Sequence, residues 1–587
     1  MIQRFKYLLY ALLAVLGLFV GLLVILPFII DPNDYKPEIT SLVEEHTGRS
    51  LQIEGDLELT VFPWLGIRTG RLELGNAEGF EGDIFVAVNS TQVRVKLFPL
   101  LSRNIEIGRV IIRGFEANLR RNNDGISNWQ DLVETAGADD DVEQPDPNVE
   151  TESGSAGFNT LQLGGLQIEN GRFSFIDEQA GTRYDISNFT VETGRLAPNE
   201  PVEFSLALQL AASQPQVKGS FEIQTTLLAN AKDQVYALQS GSFKFSGTLQ
   251  DFLKEELTAG LTWQAMTFNN TEQQLDVNEA NFSGLGVTAT TSFVASNLDG
   301  EPSLVGSVHV PPFSLQELAN RFSEMLPEGT NLPPGSQMEF ESDFNVNLNT
   351  QALRINALRL GLADLKLLAS INGEQIIDAP RFSGSLQTEN FSPTRLLVNL
   401  GQTAIPTTDP NALSSASLAT KFTATQSSVA LSEMNLALDQ TLLKGQFAIA
   451  DFDKQAIRFD LIVDAIDADR YLPPVEAAAE TPPEEGEPLD AIQLPVDPIQ
   501  TLDIEGRFRI GKLHAFSMNT SNIDFSVSAG KGVVRIHPVK ADLYDGQYNG
   551  DILYRIDRKV PLVSINESIS EIQISGLSMD LFDENRI

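Results

Sequence analysis

Cysteine is absent from this chain of 587 residues, which removes thiolate catalysis, cysteine-ligated zinc and disulfide staples together. Histidine is scarce, with His46, His309, His514 and His537 alone, and no H-E-x-x-H or other paired-ligand spacing joins them. Positive charge is outnumbered: 41 Lys and Arg stand against 79 Asp and Glu, a formal net charge of −38. Nucleic acid needs a basic surface to neutralise phosphate, so it is excluded as a partner, and adsorption of the body to an anionic lipid surface is disfavoured. A G-x-S-x-G elbow between strand and helix is missing, and so is a phosphate loop. Asp and Glu pairs are plentiful, but on strands of alternating polarity they fall on the wet face. No catalytic residue, cofactor site or metal site is assigned, and the chain reads as a non-enzyme. The run Asp139-Asp140-Asp141 lacks the glycine turn and terminal glutamate of a calcium loop and reads as solvated linker.

Long apolar runs are also lacking, with one exception. From Tyr7 through Leu13 to Ile30 the sequence is unbroken by charge, flanked by Arg4 and Lys6 before it and Asp31 and Asp34 after it. At ~1.5 Å per residue such a run reaches on the order of 36 Å, enough to cross a hydrocarbon core of ~30 Å. A signal peptide would have a shorter apolar core and an A-x-A-like cleavage site, and neither is present. The flanking charges predict a single-pass anchor with the N-terminus cytoplasmic and the body across the membrane. Within the run, Gly17 and Gly21 have the G-x-x-x-G spacing that lets two membrane helices approach, although glycine is common in such spans.

Alternation with period two dominates the chain from Leu51 onward. Leu51, Ile53, Leu57, Leu59 and Val61 face one way and Gln52, Glu54, Asp56, Glu58 and Thr60 the other. The pattern returns at Val93, Val95 and Leu97, at Phe204, Leu206, Leu208 and Leu210, at Phe344, Val346 and Leu348, and at Leu502, Ile504, Phe508 and Ile510. One-sided strands of this kind predict an antiparallel sheet wet on its polar face. Helical signals are few. Asn33 or Asp34 is placed to cap a first helix with Tyr35, Ile39, Leu42, Val43 and His46 on one face and Gly48 as its stop. Ser314 with Glu317 forms a capping box, Ser392-Pro393 opens another helix that stops at Gly401, and Ile466 to Leu472 is a weaker copy before Pro473. These starts recur roughly every 75–80 residues, as a repeat of several strands plus one short helix would.

Two segments, Glu134 to Gly157 and Glu476 to Pro495, are too polar or proline-rich to offset ordering entropy. The organisation read from sequence is therefore 1–30 stub and anchor, 31–133 helix plus β region, 134–157 acidic loop, 158–475 repetitive β region, 476–495 linker and 496–587 final β region. A one-sided sheet of this length must either pair with a second layer or curl round something apolar, and alternation alone does not choose between these.

Several motifs narrow the reading. Asp31-Pro32-Asn33-Asp34-Tyr35-Lys36-Pro37, Thr47-Gly48-Arg49, Gly55-Asp56-Leu57, Phe62-Pro63-Trp64-Leu65-Gly66-Ile67 and Gly75-Asn76-Ala77-Glu78-Gly79-Phe80 resemble the N-terminal region of the AsmA family. So do Val93 to Leu101 and Asp124-Gly125-Ile126-Ser127-Asn128-Trp129-Gln130-Asp131-Leu132, while Asp467 to Pro474 and Ala541 to Gln547 resemble its later segments. The chain stops at Ile587, where similar proteins usually continue through further β structure, so the C-terminal region is expected to be shortened. The resemblance implies an inner-membrane protein of a diderm bacterium, periplasmic in its body and tied to outer-membrane biogenesis. It implies a mostly β fold: an N-terminal transmembrane helix, then a long antiparallel, curled, trough-like sheet with a few short helices. Phospholipid acyl chains would lie along Leu51, Ile53, Leu57 and their counterparts in the later strands, with outer-membrane or periplasmic proteins as further partners. The competing expectation is a periplasmic scaffold for outer-membrane protein or lipopolysaccharide assembly, its strands closed into sandwiches. Arg94, Lys96, Arg109, Arg113, Arg120 and Arg121 give the region near the anchor most of its positive charge, and the plain reading of them is a solvated face.

Overall fold

Alternating sequence becomes strand almost throughout the computed structural model, which describes residues 31–60, 64–96, 99, 105–133, 161–197, 199–253, 255–323, 326, 332–474, 503–556 and 561–582. The apolar run 7–30 and both polar segments lie outside the described residues, as do Val61, Leu97 and Leu502. The body is mostly β and largely antiparallel, in two compact units, Met1–Leu285 and Gly286–Ile587, divided inside the 158–475 region.

In the first unit the hydrogen-bonded order runs from Glu58–Thr60 through Trp64–Arg68, Ile84–Lys96, Val110–Arg121, Leu166–Asp177, Thr182–Thr193 and Val202–Ser213 to Gln274–Gly284. Leu51–Ile53 and Leu72–Gly75 pair in turn onto the other end of Ile84–Lys96. Leu51 to Val61 is thus not one strand. The chain turns at Gly55, whose φ of 74° suits glycine, and Leu57 leaves the sheet pattern altogether. Its N–H donates to Asn33 Oδ1 at 2.8 Å, its carbonyl accepts from Asn33 Nδ2 at 3.3 Å, and its side chain is buried. The sequence reading of Leu57 as a sheet-face residue is corrected accordingly: a local hydrogen-bond pair outweighed the alternation.

The second unit runs from Val287–Ser296 to Leu562–Ser570, with successive strands paired antiparallel wherever the register is described except at one point. That point is Ala456–Asp467, which lies parallel to Asp503–Ala515. The first unit has the same device, Val110–Arg121 parallel to Leu166–Asp177. A parallel pair cannot be closed by a tight hairpin and needs a long connection. Each of the two polar segments falls within such a connection, so the strands before and after it are direct neighbours.

Bulges interrupt the long strands. Register shifts coincide with left-handed residues at Asn170, Asn188, Ser240, Glu433 and Asn522. Each inserts an unpaired residue, bends its strand and increases the local twist. Only the asparagines among them are favoured in that conformation.

Among the described residues, four short helices decorate the sheets: α1 (Lys36–Thr47), α2 (Leu315–Arg321), α3 (Pro393–Asn399) and α4 (Ile574–Phe582). Their stops and caps follow the sequence at most points. Gly48 ends α1 at φ 67°, Ser314 Oγ accepts from the Glu317 N–H at 3.2 Å, and Ser392 Oγ from the Arg395 N–H at 3.3 Å. The start of α1 differs from expectation. Asp31, not Asn33 or Asp34, supplies the capping carboxylate, to a 3-10 turn Pro32–Tyr35 that leads into α1. The segment Ala468–Tyr471 is a 3-10 turn as well.

Candidate functional site

Directly opposed residues in neighbouring strands share a face, so the register shows which apolar side chains line up. In the first unit one row runs Leu51, Leu74, Val86, Ala117, Phe173, Ile186, Leu210. A second runs Ile112, Ile168, Val191, Leu206, Ile223, Phe243, Leu261, Phe282. Leu206 and Leu210 belong to one unbulged stretch of the strand Val202–Ser213, so both rows lie on the same face together with Phe204 and Leu208. At ~4.8 Å between strands the second row extends about 34 Å. Ile53 joins Leu72, Val88 and Phe115, Leu59 joins Ile67 and Val93, and Val95 opposes Leu65 and Ile107.

The second unit repeats the design. Phe422, Leu431, Phe447, Phe459, Gly506, Val527, Ile536, Ile552 and Ile565 succeed one another across nine strands. Ile504, Phe508 and Ile510 flank Gly506 on that face, and the Phe459 ring occupies the space where a Gly506 Cβ would stand. Around Val463, Ile510 and Ile523 the face closes into a small buried cluster.

Burial separates this surface from an ordinary core. Phe204, Leu206, Leu208, Leu210, Ile223, Phe243, Leu261, Ile504 and Phe508 are all half-buried, Phe282 is 39% exposed and Ile565 60%. Inner-face residues of a closed sandwich interdigitate at interior packing density and lose nearly all their exposure. Sealing is local: Ala117 and Val191 within the rows, and Phe245 beside them with its ring 4.9 Å from that of Phe221, are buried, while the residues just named keep part of their surface open.

The opposite face carries the charges, and they are paired. Arg109 meets Glu192 at 2.6 Å, Arg113 meets Glu169 at 2.8 Å, Arg120 meets Glu178 at 3.1 Å and Lys96 meets Glu106 at 2.8 Å, while Arg121 meets Asp177 at 3.3 Å at the end of the apolar side, two residues beyond Leu119 and Phe175. Cross-strand neutralisation of this kind belongs to a solvated face and leaves those five cations engaged.

Residues that entered the sequence reading only as motif prove to be structural locks. Arg49, 3% exposed, donates to Asp131 Oδ2 at 3.1 Å and to the Asn128 carbonyl at 2.6 Å, with its guanidinium 4.4 Å from the Phe85 ring centroid. Asn128 is fully buried; its Nδ2 donates to Asn76 Oδ1 and the Asn118 carbonyl, and its Oδ1 accepts from the Arg120 N–H. Three motifs distant in sequence thereby converge behind the first strands.

A second lock sits beside a cavity of about 890 Å³ lined by Tyr471, His514, Asn519 and Tyr544 among others. Arg470 pairs with Asp409 at 2.7 Å and with Gln440, and the Tyr471 hydroxyl donates to Asp439 at 2.9 Å. Burial, reinforced by the Asp439 carboxylate, pushes the Tyr471 phenol up to about 12. Desolvation pushes the Asp439 carboxyl up as well, but the N–H groups of Leu413, Ser414 and Ser415 and the Tyr471 hydroxyl outweigh it and hold the group below the usual carboxylate range. Asp467, Asp469 and His514 bring ligand atoms within 4.8 Å of one another. Asp469 already accepts the Ser517 and Phe516 N–H groups, which lower its pKa, so this carboxylate acts as a clamp on that turn.

Comparison with known proteins agrees with the motifs. The model of the AsmA family matches residues 1–586. Protein AsmA of Escherichia coli (strain K12) is 33% identical over 112 residues, 19% of this chain and 17% of that protein, so the match spans under a fifth of either.

Proposed function

Because the chain belongs to the AsmA family along residues 1–586, we propose that it is an inner-membrane-anchored periplasmic protein that supports outer-membrane biogenesis by conducting phospholipid along its apolar β face. The observation that carries this reading is the half-open state of the aligned rows, from Leu51 to Leu210 and from Ile112 to Phe282. Acyl chains leaving water for such a face gain about 0.8 kcal/mol per methylene. Successive strands offer near-equivalent sites, so a bound chain exchanges one Leu, Ile or Phe for the next without a deep trap. The head group, costly to bury, stays in water. No side chain has to perform chemistry, and direction comes from the compartments at the two ends. Among the described residues no helix is long and apolar enough to cross a membrane; the anchor is assigned to the apolar run 7–30.

Photo-crosslinkers at Leu206, Leu210 and Ile223 should capture phospholipid, while those at Glu203 and Glu222 should not. Native mass spectrometry of the purified chain should show copurified phospholipid. Equal capture by the two sets, or none by either, would return the case to a scaffold with closed layers.

A further inference from the structure

Helix α1 buries the wrong residues for an ordinary amphipathic helix. Lys36, Thr40, Val43 and Thr47 form the half-buried face, and α1 packs on the strand Leu51–Ile53. The larger apolar residues point elsewhere: Tyr35 is 53% exposed, Ile39 40% and Leu42 56%. At ~100° per residue these three, with His46, fall within about 60° of one another and about 100° round from the packed face. Glu38, Ser41 and Glu45 occupy the far side, also exposed. The stripe cannot roll under the sheet, because Asn33 is bonded both ways to Leu57 and Lys36 Nζ donates to the Gly55 carbonyl at 2.6 Å.

We propose that α1 lies along the surface of the lipid bilayer with Tyr35, Ile39 and Leu42 immersed at the boundary between head groups and acyl chains. The inference rests on the run 7–30 being a membrane anchor. That run ends one residue before the Asp31 cap, so the turn Pro32–Tyr35 and α1 emerge where the bilayer ends, and the nearest apolar phase for the stripe is the bilayer itself. Three side chains are too few for free binding to lipid, but a tether raises their effective concentration to the millimolar range or above. A tyrosine at the start of the stripe suits the interface, with its ring among apolar groups and its hydroxyl in water. Glu38 and Glu45 lie about 70° and 90° round from the centre of the stripe, on the side away from the sheet, where their carboxylates remain in water. In this pose the sheet is fixed to the membrane surface at its first strand, and Leu51 and Ile53, which open the apolar rows, sit beside the lipid that would enter them.

The absence of cysteine makes the test direct. Single substitutions Leu18→Cys, Glu38→Cys, Ile39→Cys, Leu42→Cys and Glu45→Cys in the full chain would be labelled with an environment-sensitive fluorophore and reconstituted into phosphatidylethanolamine–phosphatidylglycerol vesicles containing brominated lipid. Labels at 39 and 42 should be quenched several-fold more than those at 38 and 45, independently of protein density. Equal quenching of the two pairs, with strong quenching at 18, overturns the inference and leaves the anchor standing. Absence of quenching at 18 overturns the anchor and the inference with it. Shielding at 39 and 42 that grows with protein density and ignores bromine overturns it in favour of a second copy of the chain.

Discussion

Tyr471 shows how a single side chain in this protein holds strand ends together. Its hydroxyl donates to Asp439, which in turn accepts the Leu413, Ser414 and Ser415 N–H groups. Tyr471→Phe removes one donor and leaves the carboxylate its backbone partners, so the loss at neutral pH should be about 1 kcal/mol. The pH dependence has a definite sign. The phenol's folded pKa, raised to about 12, lies above its ordinary value, so its contribution is complete below pH ~10 and disappears as pH climbs through 12. Melting curves recorded from pH 7 to 12 should show the wild type losing its advantage over Tyr471→Phe across that window. A gap that stays constant to pH 12 would mean that the hydroxyl is not the source. Asp469 behaves oppositely: its lowered pKa places its contribution above the unfolded value, to be lost as acid titrates the folded group.

At the scale of elements, each polar connection joins parallel neighbours, which sets a minimum length for it. From Asp467 the chain must return along a strand to Asp503, which sits opposite Ala456, a distance of about 36 Å at ~3.3 Å per residue. Deleting 476–495 leaves about 15 residues, of which the 3-10 turn Ala468–Tyr471 is held in place, so about 11 remain to extend and reach on the order of 38 Å, just enough. The deletion should therefore preserve the parallel pair, seen as unchanged hydrogen-exchange protection of Ala456–Asp467 and Asp503–Ala515. Loss of protection there would assign the segment a structural part. The bulges act at the same scale, each bending its strand, and they are invisible in the sequence because residues such as Ser240 and Glu433 carry no glycine-like signal for a left-handed residue.

For the molecule as a whole, the question is whether the apolar face is a path or a core. Leu206 is half-buried, so in Leu206→Asp the new carboxylate can reach water and the sheet should melt within a few degrees of wild type. In a closed core the same change would bury an unpaired charge at a cost of several kcal/mol and unfold the unit. Thermal melting paired with growth under envelope stress, in a strain without redundant homologues, separates the outcomes. A folded and inactive variant fits conduction, a folded and fully active one removes lipid passage at that point, and an unfolded one favours closed layers.

By itself the sequence determined the class of structure and its local punctuation. Polarity alternating every second residue is carried by each strand alone, which is why Phe204 to Leu210 and Ile504 to Ile510 could be read as one-sided, and Gly48, Ser314 and Ser392 act through bonds a few residues away. Family membership was also legible, in motifs such as Thr47-Gly48-Arg49 and Asp124 to Leu132. Only the tertiary structure decided which strands are neighbours and in what register, because pairing energy belongs to two segments at once and neither contains it. That is how Leu51 came to share a row with Leu210, how strands on either side of a polar segment became parallel partners, and why Leu57, claimed by Asn33, left the face its alternation assigned. The exposure of Tyr35, Ile39 and Leu42 was likewise undecided until the packing of α1 was known, since a helical stripe is buried or bare according to what stands opposite it.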